Sequence, residues 1–213
     1  MLKLLVLDFD GLLVESEAIK DAGFAAVFAD HPERAAAIRA YNVANRHLIR
    51  YAKFKHITEV ILGLPYAEAD ERRLAAAYVA YTRERIIACP YVPGAPEFLA
   101  FFDGRVPMYL ASATPADELR LIVEGRGLAR HFRGILGAPR KKADILRELM
   151  QAEGVPAAAT YYVGDSLSDL KAAREAGVGF VGRNREDDFA PLGVPHFNDL
   201  FGIRAYLAPL VAG

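Results

Sequence analysis

Short apolar runs that alternate with amphipathic stretches are the feature that most restricts how this chain can fold. One run, Leu4–Leu7, lies near the start, and four more follow at 106–111, 134–136, 160–163 and 179–181. The stretches that follow residue 90 between the runs carry apolar residues at helical spacing, at 96–102, 116–126, 142–153 and 168–175. Strands joined by crossover helices form a parallel sheet, so we predict an α/β core with a Rossmann-like, doubly wound parallel sheet. A final helix over 197–210 is expected to close this core.

The section between the first two runs has a different pattern. Residues 17–88 are rich in alanine and show few strand-like alternations, whereas apolar residues such as Phe24 and Phe28 recur at helical spacing. This section is therefore predicted to be an all-helical insert. The predicted domains are an α/β core from residues 1–15 and 89–213 and a helical domain from residues 16–88.

Composition limits the function classes open to this chain. It has 213 residues, of which 53% are hydrophobic and 25% charged, and its formal net charge is −1. This balance is typical of a compact soluble protein and gives no reason to expect nucleic acid or an anionic membrane as a partner. No run approaches the ~20 apolar residues that a membrane-spanning helix needs. No signal pattern precedes the first run, and the single cysteine, Cys89, excludes an internal disulfide. We therefore expect a cytoplasmic protein.

Two carboxylates, Asp8 and Asp10, come directly after the first run and are followed by Gly11. Side chains two residues apart on a strand point to the same face. The two acids are thus expected side by side at the carboxyl end of the strand, where open α/β sheets bind their ligands. Two like charges so close are costly unless a cation, a shared proton or a reactant compensates them. An ordinary Asp-Gly turn after a strand is the simpler interpretation, and these residues alone do not decide between the two.

Polar residues follow the other predicted strands in the same way. They are Ser112 and Thr114, then Lys142, then Asp165, Ser166 and Asp169. Because the carboxyl ends of parallel strands meet at one edge of a sheet, we expect these side chains to converge with the first two acids. Carboxylates can hold Mg²⁺, hydroxyl and backbone N–H groups can bind phosphoryl oxygens, and a lysine can neutralise the remaining charge. The set predicts a phosphoryl-transfer site.

Each of these residues has a simpler role when it is taken alone. Ser112 and Thr114 are typical helix caps, and Asp165 could cap the helix that follows it. Lys141 and Lys142 form a pair that is typical of a solvated surface. Since adjacent residues point in different directions, at most one of the two lysines is expected in the site, and we choose Lys142.

Four motifs, taken in order along the chain, resemble those of the haloacid dehalogenase-like (HAD) hydrolase superfamily. They are Asp8-Phe9-Asp10-Gly11, Ser112, Lys142 and Gly164-Asp165-Ser166-Leu167-Ser168-Asp169. The resemblance covers almost the whole chain, and the first and last motifs are specific in combination, whereas the serine and the lysine are assigned by position. The resemblance implies a phosphatase with a Rossmann-like core, and the insert resembles the family's C1-type helical cap, a lid that selects substrates.

The resemblance also implies separate roles for the acids. Asp8 would be the nucleophile that forms an aspartyl-phosphate, and Asp10 the acid and base, which requires a raised pKa. Mg²⁺ would bind Asp8, the main-chain carbonyl of Asp10 and Asp165. Asp169 would either coordinate through water or fix the other ligands. The phosphoryl group would be held by Gly11, Ser112, the Ala113 N–H and Lys142.

An aspartate at position 10 favours phosphate ester hydrolysis, because the dehalogenating and phosphonate-cleaving branches of the family lack an acid there. We therefore expect a Mg²⁺-dependent phosphatase for a small phosphorylated metabolite. A sugar phosphomutase resembles the phosphatases in both acids, and the motifs do not separate these two outcomes. A non-catalytic ligand-binding protein is a third possibility, against which the complete set of acids, serine and lysine argues.

The insert carries a basic section without acids, between Glu33 and Glu59. Within it, steps of three and four residues predict one basic helical face formed by Arg39, Asn42, Arg46, Arg50 and Lys53. A solvated face remains an open explanation. The lack of nearby acids favours contact with an anionic substrate, for which the candidates are Arg46, Arg50 and Lys53. A loose resemblance of residues 50–54 to caps associated with bacterial surface polysaccharides adds a sugar phosphate to the candidate substrates. Structural or surface roles are expected for His31, His47 and His56.

Overall fold

The computed structural model describes residues 1–46, 48–185 and 188–211, and the chain divides into two compact units. The first unit comprises Met1–Glu15 and Cys89–Gly213, and the second comprises Ser16–Ala88. Among the helices of the described residues, none combines the length and the hydropathy needed to cross a membrane. His47 lies outside the described residues, so its expected structural role stays a prediction.

A six-stranded parallel sheet forms the centre of the first unit. Its strands are β1 (Leu4–Leu7), β2 (Met108–Pro115), β3 (Gly134–Ala138), β4 (Thr160–Gly164), β5 (Gly179–Arg183) and β6 (His196–Phe197), in the spatial order β3-β2-β1-β4-β5-β6. β1 lies between β2 and β4, which explains why all four of its residues are apolar and buried. The predicted doubly wound α/β core is confirmed.

The helices connect these strands or belong to the insert. In chain order they are α1 (Glu17–Val27), α2 (Ala35–Ala44), α3 (Arg50–His56), α4 (Glu68–Ala88), α5 (Ala95–Phe102), α6 (Ala116–Gly125), α7 (Lys142–Glu153), α8 (Leu167–Ala176) and α9 (Leu200–Leu207). A π-helical turn covers Ile57–Ile61. In the first unit, apolar side chains of α7 and α8 pack against β1 and β4 in a common core, where Leu4, Leu146 and Tyr162 are fully buried.

The end of the chain differs from the prediction. The helix expected over 197–210 is shorter, because α9 covers Leu200–Leu207 and Ala208–Leu210 forms a 3₁₀ turn. Phe197 belongs instead to β6, a strand of two residues that is too short to show an alternating pattern. The carboxylate of Asp199 accepts a hydrogen bond from the Gly202 N–H at 2.9 Å, which caps the helix and determines where it begins.

α1 to α4 form the second unit around an aromatic core. The rings of Phe24, Phe54 and Tyr78 pack together, with centroids 5.3 Å apart for Phe24 and Phe54 and 5.1 Å apart for Phe24 and Tyr78. Phe28 and Leu74 are buried in the same cluster. The apolar residues at helical spacing in the insert are therefore the residues that hold its helices together.

Candidate active site

Asp8 and Asp10 lie at the carboxyl end of β1. The Asp8 N–H donates a hydrogen bond to the Val163 carbonyl at 2.9 Å, so the ladder with β4 continues past the end of the strand. Both aspartates are buried. Gly11 adopts a φ of 72°, and its N–H donates to the Val14 carbonyl at 2.9 Å, which closes the turn that follows the acids. The backbone thus holds both carboxylates at the centre of the sheet edge.

Three buried acids, Asp8, Asp165 and Asp169, form a cluster at this edge. One carboxylate oxygen from each lies within 4.8 Å of the other two. Asp165 follows β4 directly, and Asp169 lies in the first turn of α8. Buried carboxylates at this separation destabilise one another unless positive charge lies close to them.

Lys142, the first residue of α7, supplies part of this positive charge. Its Nζ lies 3.1 Å from Asp8 Oδ1 and 2.6 Å from Asp169 Oδ1. Lys141 precedes the helix and is exposed. Burial lowers the pKa of Lys142, but the carboxylates of Asp169 and Asp8 outweigh burial, so this pKa lies above its usual value. The ammonium group is therefore charged at neutral pH.

Both carboxylate oxygens of Asp169 accept hydrogen bonds. Oδ1 accepts from Lys142 and from the Tyr162 hydroxyl at 2.8 Å, and Oδ2 accepts from the Ser166 hydroxyl at 2.6 Å and the Ser166 N–H at 3.2 Å. With Ser166, Asp169 completes the capping box of α8. Burial raises the pKa of Asp169, but Lys142 and these hydrogen bonds lower it below its usual value. These contacts favour a role in fixing the other groups over direct coordination of a metal.

Asp8 carries charge that its neighbours only partly compensate. Burial raises its pKa, Lys142 lowers it, and the carboxylates of Asp169 and Asp165 raise it again, so the pKa lies well above its usual value. Although Lys142 is near, no group in residues 1–46, 48–185 and 188–211 hydrogen-bonds to Asp8 Oδ1 with good geometry. A further cation would favour the ionised form. Since the available ligands are carboxylate oxygens, the cluster fits a hard divalent cation.

β2 extends further than predicted and carries the polar residues of the second loop. The expected strand ends at residue 111, but β2 continues to Pro115, with an irregular register after Ala111. Thr114 Oγ1 donates a hydrogen bond to Asp10 Oδ2 at 2.9 Å, and Ser112 Oγ lies 3.4 Å from the same oxygen. Pro115 is the residue before α6, which has no side-chain cap. The helix-cap interpretation of the serine and the threonine is therefore wrong, because both hydroxyls lie near the carboxylate of Asp10.

A family model of haloacid dehalogenase-like hydrolases matches residues 2–177 of this chain. The chain belongs to this family.

The hydrolase is similar in sequence to one curated relative and in structure to two solved proteins. It is 32% identical over 190 residues to a phosphoglycolate phosphatase of Pseudomonas savastanoi pv. phaseolicola, an alignment that covers 84% of this chain and 68% of the relative. Its structure is similar to the magnesium-bound YfnB of Bacillus subtilis, with a TM-score of 0.77, 16% identity and coverage of 97% and 99%. It is also similar to a Thermotoga maritima protein assigned as a beta-phosphoglucomutase, with a TM-score of 0.73, 18% identity and coverage of 99% and 100%. The family model and the curated relative place the hydrolase in the phosphatase class.

Two arginines, one at the end of β5 and one two residues after it, contact residues of the site. The sequence analysis did not predict them. Arg185 Nε donates a hydrogen bond to Asp165 Oδ2 at 2.8 Å. Arg183 is buried, and it donates to the Gly11 carbonyl at 2.6 Å and to Glu15 Oε1 at 2.6 Å. The rule that polar residues gather after parallel strands holds for this loop as well, and it would have identified both arginines.

Tyr162 was also missed, although it lies in the predicted fourth strand. Its hydroxyl donates to Asp169 Oδ1 at 2.8 Å and lies 3.1 Å from the Ala111 carbonyl. Burial raises the pKa of Tyr162, and the carboxylate of Asp169 raises it further, so the hydroxyl keeps its proton. Tyr162 therefore joins the apolar core to the acidic cluster of the hydrolase.

The basic residues predicted on one helical face of the insert lie on different elements. Arg39 and Asn42 belong to α2, Arg50 and Lys53 belong to α3, and Arg46 lies in the connection between these helices. The prediction of a single basic face is wrong, because α2 ends at Ala44 and the chain turns before α3 begins. Spacing alone does not show where a helix without a strong terminator stops.

Acids of α1 compensate several of these basic residues. Arg46 forms ion pairs with Asp21 and Glu17, and Asn42 donates a hydrogen bond to Asp21 at 2.7 Å. Lys53 is buried, and its Nζ donates to Asn42 Oδ1 at 2.9 Å. The acids absent from the basic section are thus supplied from another helix.

Two basic residues of the insert, Lys53 and Arg50, lie over rings of its aromatic core. Lys53 Nζ lies 4.2 Å from the centre of the Phe24 ring, and burial together with the charge of Lys20 lowers the pKa of Lys53 to about 8. The Arg50 guanidinium lies 5.2 Å from the centre of the Tyr78 ring. Both cations pack on aromatic faces, which contributes to the stability of the insert.

Proposed function

We propose that this hydrolase is a Mg²⁺-dependent phosphatase that hydrolyses a small phosphorylated metabolite through an aspartyl-phosphate on Asp8. The observation that carries this proposal is the different environment of its two adjacent acids. Asp8 belongs to the acidic cluster and contacts Lys142, whereas Asp10 accepts a hydrogen bond from Thr114 on β2. Asp8 thus lies beside a cation, and Asp10 is oriented by a neutral hydroxyl.

Asp8 has the surroundings that a nucleophilic carboxylate needs. Its carboxylate attacks phosphorus, an Asp8–phosphorus bond forms, and the bond from phosphorus to the ester oxygen breaks. A Mg²⁺ ion held by Asp8, the main-chain carbonyl of Asp10 and Asp165 would neutralise negative charge on the carboxylates and the phosphoryl group. Asp169 holds Lys142 against Asp8 and thereby keeps the ammonium group in place.

Asp10 serves as the proton donor and acceptor. It gives its proton to the departing ester oxygen, and then takes a proton from the water molecule that attacks the aspartyl-phosphate and restores Asp8. Thr114 orients this carboxyl group from β2. A fixed orientation matters, because proton transfer needs the carboxyl group within hydrogen-bond distance of both oxygens in turn.

The phosphoryl group is held by donors at the same sheet edge. Lys142 contributes the charge, and the hydroxyl of Ser112 with the N–H of Ala113, near the end of β2, contributes hydrogen bonds. Gly11 lets the backbone approach closely, because it carries no side chain.

2-Phosphoglycolate is the first substrate to test, since the 32% identical relative is named a phosphoglycolate phosphatase. Sugar phosphates are the second class. Lys53, Arg46 and Arg50 are proposed as the residues of the insert that bind the anionic substrate. Arg50 and Lys53 are the stronger candidates, because Arg46 is already paired with Asp21 and Glu17.

Phosphate release from 2-phosphoglycolate and a panel of sugar phosphates, measured with Mg²⁺ and with EDTA, tests this proposal. We expect release that requires Mg²⁺ and falls at least about 10⁴-fold in Asp8→Asn. Asp144→Asn on α7 is the matched control, because Asp144 is exposed and pairs with Arg147 away from the cluster. Absence of release from every compound in Mg²⁺ would overturn the phosphatase assignment, and conversion between sugar-phosphate isomers without net release would support the mutase.

A further inference from the structure

We propose that Arg185 is a counter-ion of Asp165 in the metal-free hydrolase and that a divalent cation binds to Asp165 by displacing Arg185. The inference rests on the proposed function, because it concerns the cation of that site. It assigns a role to an arginine that no motif of the chain contains.

The contact between Arg185 and Asp165 is short and poorly screened by water. Arg185 Nε lies 2.8 Å from Asp165 Oδ2, and the two side chains are only 19% and 5% exposed. Arg185 follows β5 by two residues, and β5 pairs with β4, the strand that leads into Asp165. The parallel sheet therefore places the arginine beside this acid.

Gly11 makes room for the pair. A Cβ atom at this position would lie 2.1 Å from Asp165 Oδ2 and 3.2 Å from Arg185 Nε. The ion pair thus lies directly against the backbone of the turn that follows Asp8 and Asp10. This is the same turn whose main chain is proposed to contribute to the cation site.

The three acids of the cluster are divided between two cations. Lys142 contacts Asp8 and Asp169, whereas Arg185 contacts Asp165. A metal ion that displaces Arg185 from Asp165 therefore leaves both contacts of Lys142 with the cluster in place.

Two cations on one carboxylate oxygen repel each other strongly. Mg²⁺ binds carboxylate oxygen at about 2.1 Å, so an ion on Asp165 Oδ2 would lie within about 5 Å of Arg185 Nε. A guanidinium group does not lose its proton at any ordinary pH. An ion on this oxygen would therefore displace Arg185 from Asp165, and the ion pair given up would lower the affinity of the site for the cation.

Calorimetric titration of Mg²⁺ into the metal-free full-length protein, without substrate, tests this competition. We expect Arg185→Ala and Arg185→Gln to bind Mg²⁺ about tenfold more tightly than the unmodified protein, a ratio typical of coupled sites. Arg185→Lys keeps the charge and should retain most of the weaker affinity. Arg133→Ala is the control for net charge, because Arg133 is exposed and pairs with Glu153 outside the cluster.

Thermal unfolding supplies a second, independent readout. In EDTA the neutral variants should unfold at a lower temperature, because Asp165 loses its ion pair with Arg185. In saturating Mg²⁺ this difference should shrink. Equal Mg²⁺ affinity in all variants, or a difference in unfolding temperature that Mg²⁺ does not reduce, would overturn the inference while leaving the phosphatase proposal intact. If neither the unmodified protein nor any variant binds Mg²⁺, both the inference and the metal dependence are overturned. Phosphate release, measured in parallel, shows whether the phosphatase activity itself is present.

Discussion

Thr114 donates a hydrogen bond from Oγ1 to Asp10 Oδ2 at 2.9 Å, across from β2 to the loop that follows β1. The bond joins two residues that are 104 positions apart in the chain. We infer that this bond holds the carboxyl group of Asp10 in one orientation. Removal of the Thr114 hydroxyl therefore tests the role of Asp10.

Thr114→Val should lower kcat about tenfold, because it removes this donor without changing the side-chain shape much. Loss of a hydrogen bond to the ionised carboxylate favours the protonated form of Asp10, which is the form that donates to the departing oxygen. The alkaline limb of the pH profile of kcat/KM should therefore also move to higher pH. Thr114→Ser should restore both properties. Thr160→Val is the control, since Thr160 is buried at the opposite end of β4 and donates to the Pro156 carbonyl. An unchanged pH profile in Thr114→Val would contradict the positioning role.

Gly11→Ala should abolish activity and lower the free energy of unfolding by more than about 2 kcal/mol. The new Cβ would lie 2.1 Å from Asp165 Oδ2, and the φ of 72° is unfavourable for alanine. Gly104→Ala is a matched control, because Gly104 has the same φ of 72° but no atom within 4 Å of the place that its new Cβ would occupy. Urea unfolding of both variants separates backbone strain from the contact, and equal losses would show that the contact contributes nothing.

Tyr162→Phe should destabilise the protein by about 1–2 kcal/mol, because the buried carboxylate of Asp169 loses one of its donors. Tyr161→Phe, at the half-exposed neighbouring position of β4, should change stability by less than about 0.5 kcal/mol. Urea denaturation measures both losses, provided that the free energy of unfolding falls with urea concentration at the same slope in the two variants. A loss in Tyr162→Phe no greater than in Tyr161→Phe would mean that the hydroxyl does not support Asp169.

Lys53 makes the stability of the protein depend on pH in the alkaline range. Its folded-state pKa is about 8, whereas an unfolded lysine titrates near ~10.4, so between these values the unfolded state binds more protons. The free energy of unfolding should therefore rise with pH across this window, by at most about 3 kcal/mol.

Lys53→Met should lack this rise, so the stability of the variant relative to the unmodified protein should be greatest below pH 8 and should fall towards pH 10. Urea unfolding at a series of pH values measures the difference. Lys55→Met is the control, because Lys55 is exposed on the same helix. A difference between Lys53→Met and the unmodified protein that does not vary with pH would contradict the proton linkage.

Local pattern was sufficient for most elements of the fold. The run Leu4–Leu7 is buried on both faces, and α7 begins and ends at the residues that the helical spacing indicates. The predicted elements differ from the structure where the apolar pattern is too short or where no proline or glycine marks the end of a helix. β6 has two residues, and the connection between α2 and α3 contains neither proline nor glycine. In such places the packing of the whole unit, and not the local sequence, decides the structure.

The sequence by itself determined the order of the longer strands and helices of the α/β core, because these follow from the period at which apolar residues recur. It also determined that acids, hydroxyls and a lysine follow successive strands, which the parallel sheet brings to one edge. Only the tertiary structure decided which charges meet. Lys142 pairs with Asp8 and Asp169, Arg185 pairs with Asp165, and Arg46 pairs with Asp21. These partners are at least 20 residues apart in the chain, and no local periodicity records the distance between side chains that approach each other only after the elements have packed.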